Sequence, residues 1–551
     1  MNARSRQWER YRQLAQVLVR HGFDMLVDRL ELGAHLPLSA RLKARLAPSP
    51  LPWPDRVRQV LVDLGPVWIK MGQLASIRGD LLPRELVEAL RNLQDAVEPF
   101  PSEQALAVVE AQWQRPVHEL VSDWDPLPLA TASIGQVYAG RLHDGTEVVI
   151  KVRRPGIVAQ AEADLEIARR LAWLAERRWT RARELEIGRL MDELVDTLRE
   201  EFDFRTEARN TDRAFRALGQ VPGHRVPKVM AGLSGPEVLV MTRLAGIKLN
   251  DREGLVAQGL DPALAARRFV EGLYRQVFVD GFFHADPHPG NVHVDPWGSI
   301  LWLDWGLAGH LSEAMRSHSA RLIIAMTQGN SAGVVQALLN LSAAPSDVDR
   351  AGLLAAVDRL RRRYYDAPLE QFQLGEALME LLEVAHRFHL RIPTEYALLA
   401  KAALIADGIV RELAPTTSLL EFGRPLAGQI ARQQLDPRRW AGRVPELVWS
   451  WGEEGLKLPS RIGQALDTLG RGKFVLQLED DHLDRLLEHW GHLVARITAA
   501  LLLGAMMVAL GLIQGRGAVF GWSRAVLQWA FLAMLGLSGF VVVRALWRGH
   551  L

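Results

Sequence analysis

An α+β fold of two lobes, with a helical extension ahead of it and a transmembrane helical hairpin behind it, is what this sequence predicts, on three observations. Two strand-like runs meet at an Asp-Gly turn near Gly145, while most other stretches carry apolar residues at helical spacing. Between the strand-rich part and the long helical part, Asp286, Asn291 and Asp304 recur at fixed offsets in loops. Two long uncharged runs then close the chain. A length of 551 residues suggests two to four domains, and 48% hydrophobic residues supply ample core. Lys+Arg 66 against Asp+Glu 64 leaves a net charge of +2, so no nucleic-acid partner is expected. The absence of cysteine removes disulfides, thiolate zinc sites and cysteine nucleophiles together. The first residues, from Met1 to Leu18, are charged throughout with no apolar core, which does not read as a signal peptide.

Residues 1–54 read as N-terminal helices. Leu14, Val17, Leu18, Phe23, Leu26 and Leu30 lie near 3.6-residue spacing, with a break expected at Pro37 and a proline-rich boundary from Ala47 to Pro54. Residues 55–115 form a helical extension. One helix is expected from Asp55 through Leu64-Gly65-Pro66 and on past Lys70-Met71-Gly72-Gln73, with Lys70, Gln73, Ser76 and Arg78 near one polar face. Shorter helices should start after Pro83 and at Ser102.

Residues 116–244 form the small lobe. Gly135 to Leu142 and Thr146 to Val152 are strands joined by His143-Asp144-Gly145, a strong hairpin signal. Lys151 follows Val148-Val149-Ile150, the pattern of a strand whose lysine holds nucleotide phosphates. Ahead of the hairpin runs Ala130-Thr131-Ala132-Ser133-Ile134-Gly135, with Val137 next on the strand. A glycine-rich phosphate loop would stand there. Side chains at those positions limit positive φ and close backbone approach, so this loop should cover a nucleotide differently. A long helical pattern runs from Ala161 to about Ala217 and carries Glu201, Asp203 and Glu207. One carboxylate there should pair Lys151, since a buried lysine otherwise carries an uncompensated charge, but charge alone does not choose among the three. The apolar strand Val238 to Leu244 then leads to a hinge, with Met241, Leu244 and the backbone of Thr242 to Leu244 facing an adenine.

Gly281 to Gly306 organises the rest. It contains His284-Ala285-Asp286-Pro287-His288-Pro289-Gly290-Asn291, then a strand-like run from Ile300 into Asp304-Trp305-Gly306. An Asp, an Asn five residues on and a later Asp before Gly form a phosphotransferase signature. The first orients a hydroxyl or water, and the other two hold metal, while catalysis is mostly positioning and charge neutralisation. A protein-kinase-like fold follows, with residues 245–434 as its helical large lobe: Arg321 to Leu339, Leu353 to Tyr365, Leu374 to Phe388 and Thr394 to Leu413 all show helical spacing.

On these residues the chain resembles the UbiB (AarF) family of atypical kinase-like ATPases linked to ubiquinone biosynthesis. Lys70-Met71-Gly72-Gln73 looks like its K-x-G-Q motif, Ala130 to Val137 like its alanine-rich loop, Glu201 to Asn210 like its E-x-D and E-A-x-N segment, and His284 to Asn291 like its catalytic loop. The resemblance implies that Glu207 pairs Lys151, and that Lys70 meets Glu201 or Asp203 where a protein kinase leaves room for its substrate. It also implies ATP/ADP and Mg²⁺ as cofactors, Asp286, Lys151, Lys70 and Gln73 as catalytic residues, and Asn291 and Asp304 as metal ligands. Trp305 stands where Phe is usual, and Thr242 where an acidic residue often sits. Aminoglycoside and choline kinases carry a similar loop, so a small-molecule phosphotransferase is the rival reading; a nucleotide-sensing scaffold is a third. The Lys70 to Gln73 segment and the alanine loop argue against the rival.

Residues 435–492 read as a helical connector and 493–551 as a membrane hairpin. Ile497 to Ile513 is 17 residues without a charge, and Ala525 to Val543 is 19 with Gln528 the strongly polar member. Both suit short bilayer spans, flanked by Arg496, Arg524, Arg544 and Arg548. Dependence on ATP places the catalytic body on the cytoplasmic side of a bacterial inner membrane. Membrane lipids and quinone-biosynthesis intermediates or enzymes are the further partners implied.

Overall fold

The computed structural model describes residues 3–29, 51–76, 82–93, 99–184, 186–342, 348–365 and 372–422. The chain divides into two compact units, Met1–Asp436 and Pro437–Leu551. The second unit lies outside the described residues, and with it the expected connector and both uncharged runs. Pro37, Arg78 and the first half of the proline cluster, residues 47–50, also fall outside them. Among the described residues no helix is long and apolar enough to cross a membrane.

The helices α1 (Ala3–Arg20), α2 (Asp24–Arg29), α3 (Trp53–Leu64), α4 (Pro66–Ala75), α5 (Arg84–Arg91) and α6 (Ser102–Trp113) precede the first strand. The single helix expected through Gly65 is two. Gly65 has φ +98°, a conformation that favours glycine, and Pro66 starts α4 at a position that needs no N–H donor. Gly72 shows why α4 lies so close to its neighbours: a Cβ there would stand 2.5 Å from Leu93 and 2.6 Å from Leu61.

The small lobe is an antiparallel sheet in the order β1 (Val121–Thr131), β2 (Gly135–Leu142), β3 (Glu147–Arg153), β5 (Val238–Thr242). Strand β1, absent from the sequence reading, contains Pro126 and Pro128; its edge position and irregular register tolerate residues that cannot donate to a ladder. Gly145 (φ +86°) and the Asp144 carboxylate, which accepts the Thr146 N–H at 2.8 Å, close the β2–β3 turn. Val148, Ile150 and Val152 pack with Ala105 and Val109 of α6, so the two-residue period turns Lys151 to the other face. The expected helix from 161 to 217 is several: α7 (Ile157–Arg178), α8 (Thr180–Glu184), α9 (Ile187–Glu201) and α10 (Phe204–Ala217). Asp203 caps α10 by accepting the Arg205 N–H at 3.0 Å, so Glu201 and Glu207 belong to different helices.

Below the sheet stand α11 (Arg252–Ala257), α12 (Pro262–Tyr274), a π-helical turn at Arg275–Asp280, β7 (Phe282–His284) and β10 (Ala308–His310), which pair, and β8 (Val292–Val294) and β9 (Ile300–Trp302), which form a sheet with β4 (His224–Arg225) and β6 (Ile247–Lys248). Trp302 stacks on Phe269 and Trp305 on Phe282, all buried, so Trp305 anchors the Asp304 turn in the core. The remaining helices are α13 (Glu313–Thr327), α14 (Ser331–Leu341), α15 (Arg350–Tyr365), α16 (Leu374–Arg387) and α17 (Thr394–Leu413). The pattern from Arg321 to Leu339 is interrupted at Gly329 (φ +63°), after which Asn330 caps α14.

Candidate active site

Strand β3, helix α10 and the turn after β9 bring three charges together. Lys151 Nζ donates to both carboxylate oxygens of Glu207, at 2.7 and 2.9 Å, and to Asp304 Oδ2 at 3.0 Å. It also lies over the Phe204 ring, 5.4 Å from its centre. Burial alone would lower the ammonium, but Asp304 and Glu207 together overcome it and hold it above its ordinary value. Two carboxylates share one lysine, and their environments separate them. Glu207, the more buried, is pushed up to about 7 by desolvation and by repulsion from Asp304. Asp304 is held well below the usual carboxylate range, because Lys151 and the Gly306 N–H, which Oδ1 accepts at 2.8 Å, outweigh its own desolvation.

The loop between β7 and β8 fixes Asp286 through its backbone. Its N–H donates to His284 Nδ1 at 3.1 Å, and its carbonyl accepts the His288 N–H at 2.9 Å and Asn291 Nδ2 at 3.2 Å. His284 is fully buried, which drops its pKa to about 4 and keeps the ring neutral, with Nδ1 free to accept. The Asp286 carboxylate meets Lys401 of α17 at 3.2 Å. Lys401 is absent from the sequence reading, although a lone lysine within Ala400 to Ala403 is a visible irregularity in an apolar helix.

Across the site, Lys70 on α4 pairs Glu201 at the end of α9 at 3.1 Å. Gln73 Nε2 donates to the Leu93 carbonyl at 3.2 Å. Asp203 is engaged by Arg205 at 2.7 Å, which resolves the choice left open by the sequence. Ala130 and Thr131 end β1, so the alanine segment is a short turn over Ala132 to Ile134, closed by the Ala132 N–H to the Gly135 carbonyl at 2.8 Å. Gly135 is required by its neighbour strand, since a Cβ would stand 2.5 Å from the Val152 carbonyl oxygen.

These groups line one cavity of about 700 Å³. Lys70, Gln73, Ala130 to Ile134, Val137, Lys151, Glu201, Glu207, Asp286, Asn291, Asp304 and Lys401 all face it. Gly135, Met241 and Leu244 do not line it; Met241 is buried in β5 opposite Val149. A Mg²⁺ ion with its nucleotide fits the donor set. Such ions take one or two protein oxygens and complete their shell with phosphate and water, and among the described residues no group of three His, Cys, Asp or Glu forms an all-protein cage. Asn291 and Asp304 would hold it.

The profile of the ABC1 atypical kinase-like domain matches residues 92–338, and that of the UbiB helical domain matches residues 357–418. Proteins named probable protein kinase UbiB are similar over most of their length. The one from Azotobacter vinelandii is 33% identical over 90% of this chain and 92% of its own. Those from Pseudomonas putida (33%, 90% and 91%) and Marinobacter nauticus (32%, 83% and 85%) are comparable. The chain belongs to the UbiB family. The fold is therefore kinase-like, with mixed helix and sheet, and a UbiB kinase-like domain implies nucleotide binding. The helical domain of the family, α15 to α17 here, is the part that brings Lys401 to the cavity.

Proposed function

We propose that this chain is a membrane-anchored kinase-like ATPase that supports ubiquinone biosynthesis and hydrolyses Mg-ATP rather than phosphorylating proteins. The observation that carries the reading is the Lys70–Glu201 pair, 3.1 Å apart, on the acceptor side of the cavity that also holds Lys151, Asp286, Asn291 and Asp304. A peptide hydroxyl would have to displace that pair, whereas water would not.

In this reading Lys151, aimed by Glu207, holds the α and β phosphates. Asp286, whose backbone is fixed by His284 and Asn291, orients the attacking water or hydroxyl and accepts its proton. Lys70 holds the helical extension to α9 on the acceptor side, and Gln73 ties α4 to Leu93 within the extension. Asn291 and Asp304 would hold Mg²⁺, which when bound would supply neutralisation of the charge that builds as the terminal phosphoryl group leaves.

The uncharged runs Ile497 to Ile513 and Ala525 to Val543 support an anchor in a bacterial inner membrane, and dependence on ATP puts the catalytic body in the cytoplasm. The family's name supports the link to ubiquinone, with quinone-pathway intermediates or enzymes and membrane lipids as partners. The test is phosphate release from Mg-ATP, with and without phospholipid vesicles and quinone-head-group phenols. Slow release that these additions raise supports the reading. Efficient transfer to a peptide, or to a small-molecule alcohol with no release to water, overturns it. A chain ending near Trp490 should lose vesicle flotation that the full chain shows; retained flotation refutes the anchor.

A further inference from the structure

Lys401 belongs to no motif of the kinase-like domain. It lies in α17, in the helical domain, yet its Nζ stands 3.2 Å from Asp286 Oδ2. The helix is brought there by small apolar neighbours: Ala402 lies in the same buried cluster as Phe283 and Ala285, the residues just ahead of Asp286. The lysine is not needed to hold this contact. Its side chain keeps 25% of its surface exposed and Asp286 29%, so water screens the pair and weakens its hold. What the pair does is set a positive charge at the Asp286 end of the cavity. Lys70 is taken up with Glu201 on the acceptor side, and Lys151 with Glu207 and Asp304 at the phosphate corner.

A triphosphate held at Lys151 directs its terminal phosphoryl group toward the residue that orients the nucleophile, which is Asp286. That places a carboxylate against an anionic phosphate, a repulsion a nearby ammonium would relieve. We propose that Lys401 is a terminal-phosphate ligand contributed by the helical domain, which exchanges the Asp286 carboxylate for phosphate oxygens when a nucleoside triphosphate binds. The proposal rests on the nucleotide reading of the cavity. It makes the helical domain part of the nucleotide site, sensing di- against triphosphate.

The test compares affinities of the full chain for Mg-ADP and for a non-hydrolysable ATP analogue with Mg²⁺, so that binding rather than turnover is read. Lys401→Met should weaken the triphosphate about tenfold, the scale of one charge-assisted hydrogen bond, while the diphosphate stays within about twofold. Lys401→Arg should restore most of the loss. Asp286→Asn, which frees the ammonium and removes the repelling charge, should tighten triphosphate binding, and that gain should vanish in the double variant with Lys401→Met. Should Lys401→Met fail to fold, Lys401→Gln asks the same question. An unchanged triphosphate-to-diphosphate ratio, with diphosphate binding intact, overturns the role of Lys401 and leaves the nucleotide reading standing. A wild-type chain that binds neither nucleotide overturns the nucleotide reading and this proposal with it.

Discussion

Lys151 and Lys70 reach the same cavity from different walls and each ends on a glutamate, yet the two pairs are built differently. Lys151 and Glu207 keep 10% and 6% of their side chains exposed and share a second carboxylate, Asp304. Lys70 and Glu201 keep 22% and 10% and join α4 to α9. The first is an acidic cluster with one carboxylate in excess, arranged for cations and phosphates to enter. The second is a wetter pair that holds two helices together across an opening. A buried charge cannot lose its partner cheaply, whereas a wetter pair can.

The largest effect that would test the contrast is at Lys151. Lys151→Met leaves Glu207 and Asp304 facing each other, so denaturant unfolding should show a loss of about 3–5 kcal/mol and a Mg-ATP titration should show no binding. Stability equal to the wild type's would put this pair on the level of Lys70. Asp304→Asn should come next. It removes a metal ligand and the charge that repels Glu207, so Mg-dependent nucleotide binding should disappear while the thermal midpoint holds within a few degrees; unchanged Mg-ATP affinity would remove Asp304 from the site.

At the other pair, Lys70→Ala and Glu201→Gln should each cost about 1 kcal/mol or less, yet alter nucleotide turnover, and the double variant should be less than additive, as residues of one ion pair are. Strict additivity in turnover, or robust peptide phosphorylation by the wild type, would make Lys70 an ordinary surface lysine.

The smallest effect is a pH dependence. Glu207 is raised to about 7 in the fold, so the folded protein binds its proton more tightly than the unfolded chain does. That contribution is fully present below the ordinary glutamate value of about 4.3 and is lost as pH rises through about 7. Buried His224 and His284, held near 4, act with the opposite sign over an overlapping range, so the difference between wild type and Glu207→Gln isolates the term. The metal-free wild type should lose stability relative to Glu207→Gln between pH 5 and 7.5; parallel thermal midpoints across that range would mean that Glu207 stays ionised beside Lys151.

Local chemistry was legible from the chain alone. The Asp-Gly hairpin, the strand that carries Lys151, and the order Asp286, Asn291, Asp304 follow from turn preference, two-residue alternation and loop spacing, all short-range. Family resemblance added the Lys151–Glu207 partnership, and the geometry agrees at 2.7 Å. Element ends were legible only in part. Gly65 and Gly329 broke helices whose apolar spacing continued across them, because periodicity records which side is buried and not where φ turns positive. Strand β1 was hidden by its prolines, which an edge tolerates and a central strand does not.

What the tertiary structure alone decided was which charges meet. Glu201, Asp203 and Glu207 are equivalent carboxylates in the sequence. They part company because Asp203 caps α10 and turns to Arg205, which leaves Glu201 at the end of α9 facing Lys70 and Glu207 within α10 facing Lys151. Met241 and Leu244, expected beside the adenine, are not among the residues that line the cavity. Lys401 reaches Asp286 from another domain through the packing of Ala402 near Ala285. Sequence determines the residue types and their local spacing, since those depend on neighbours along the chain; the partners of a charge depend on elements folded together from distant segments, and only packing selects them.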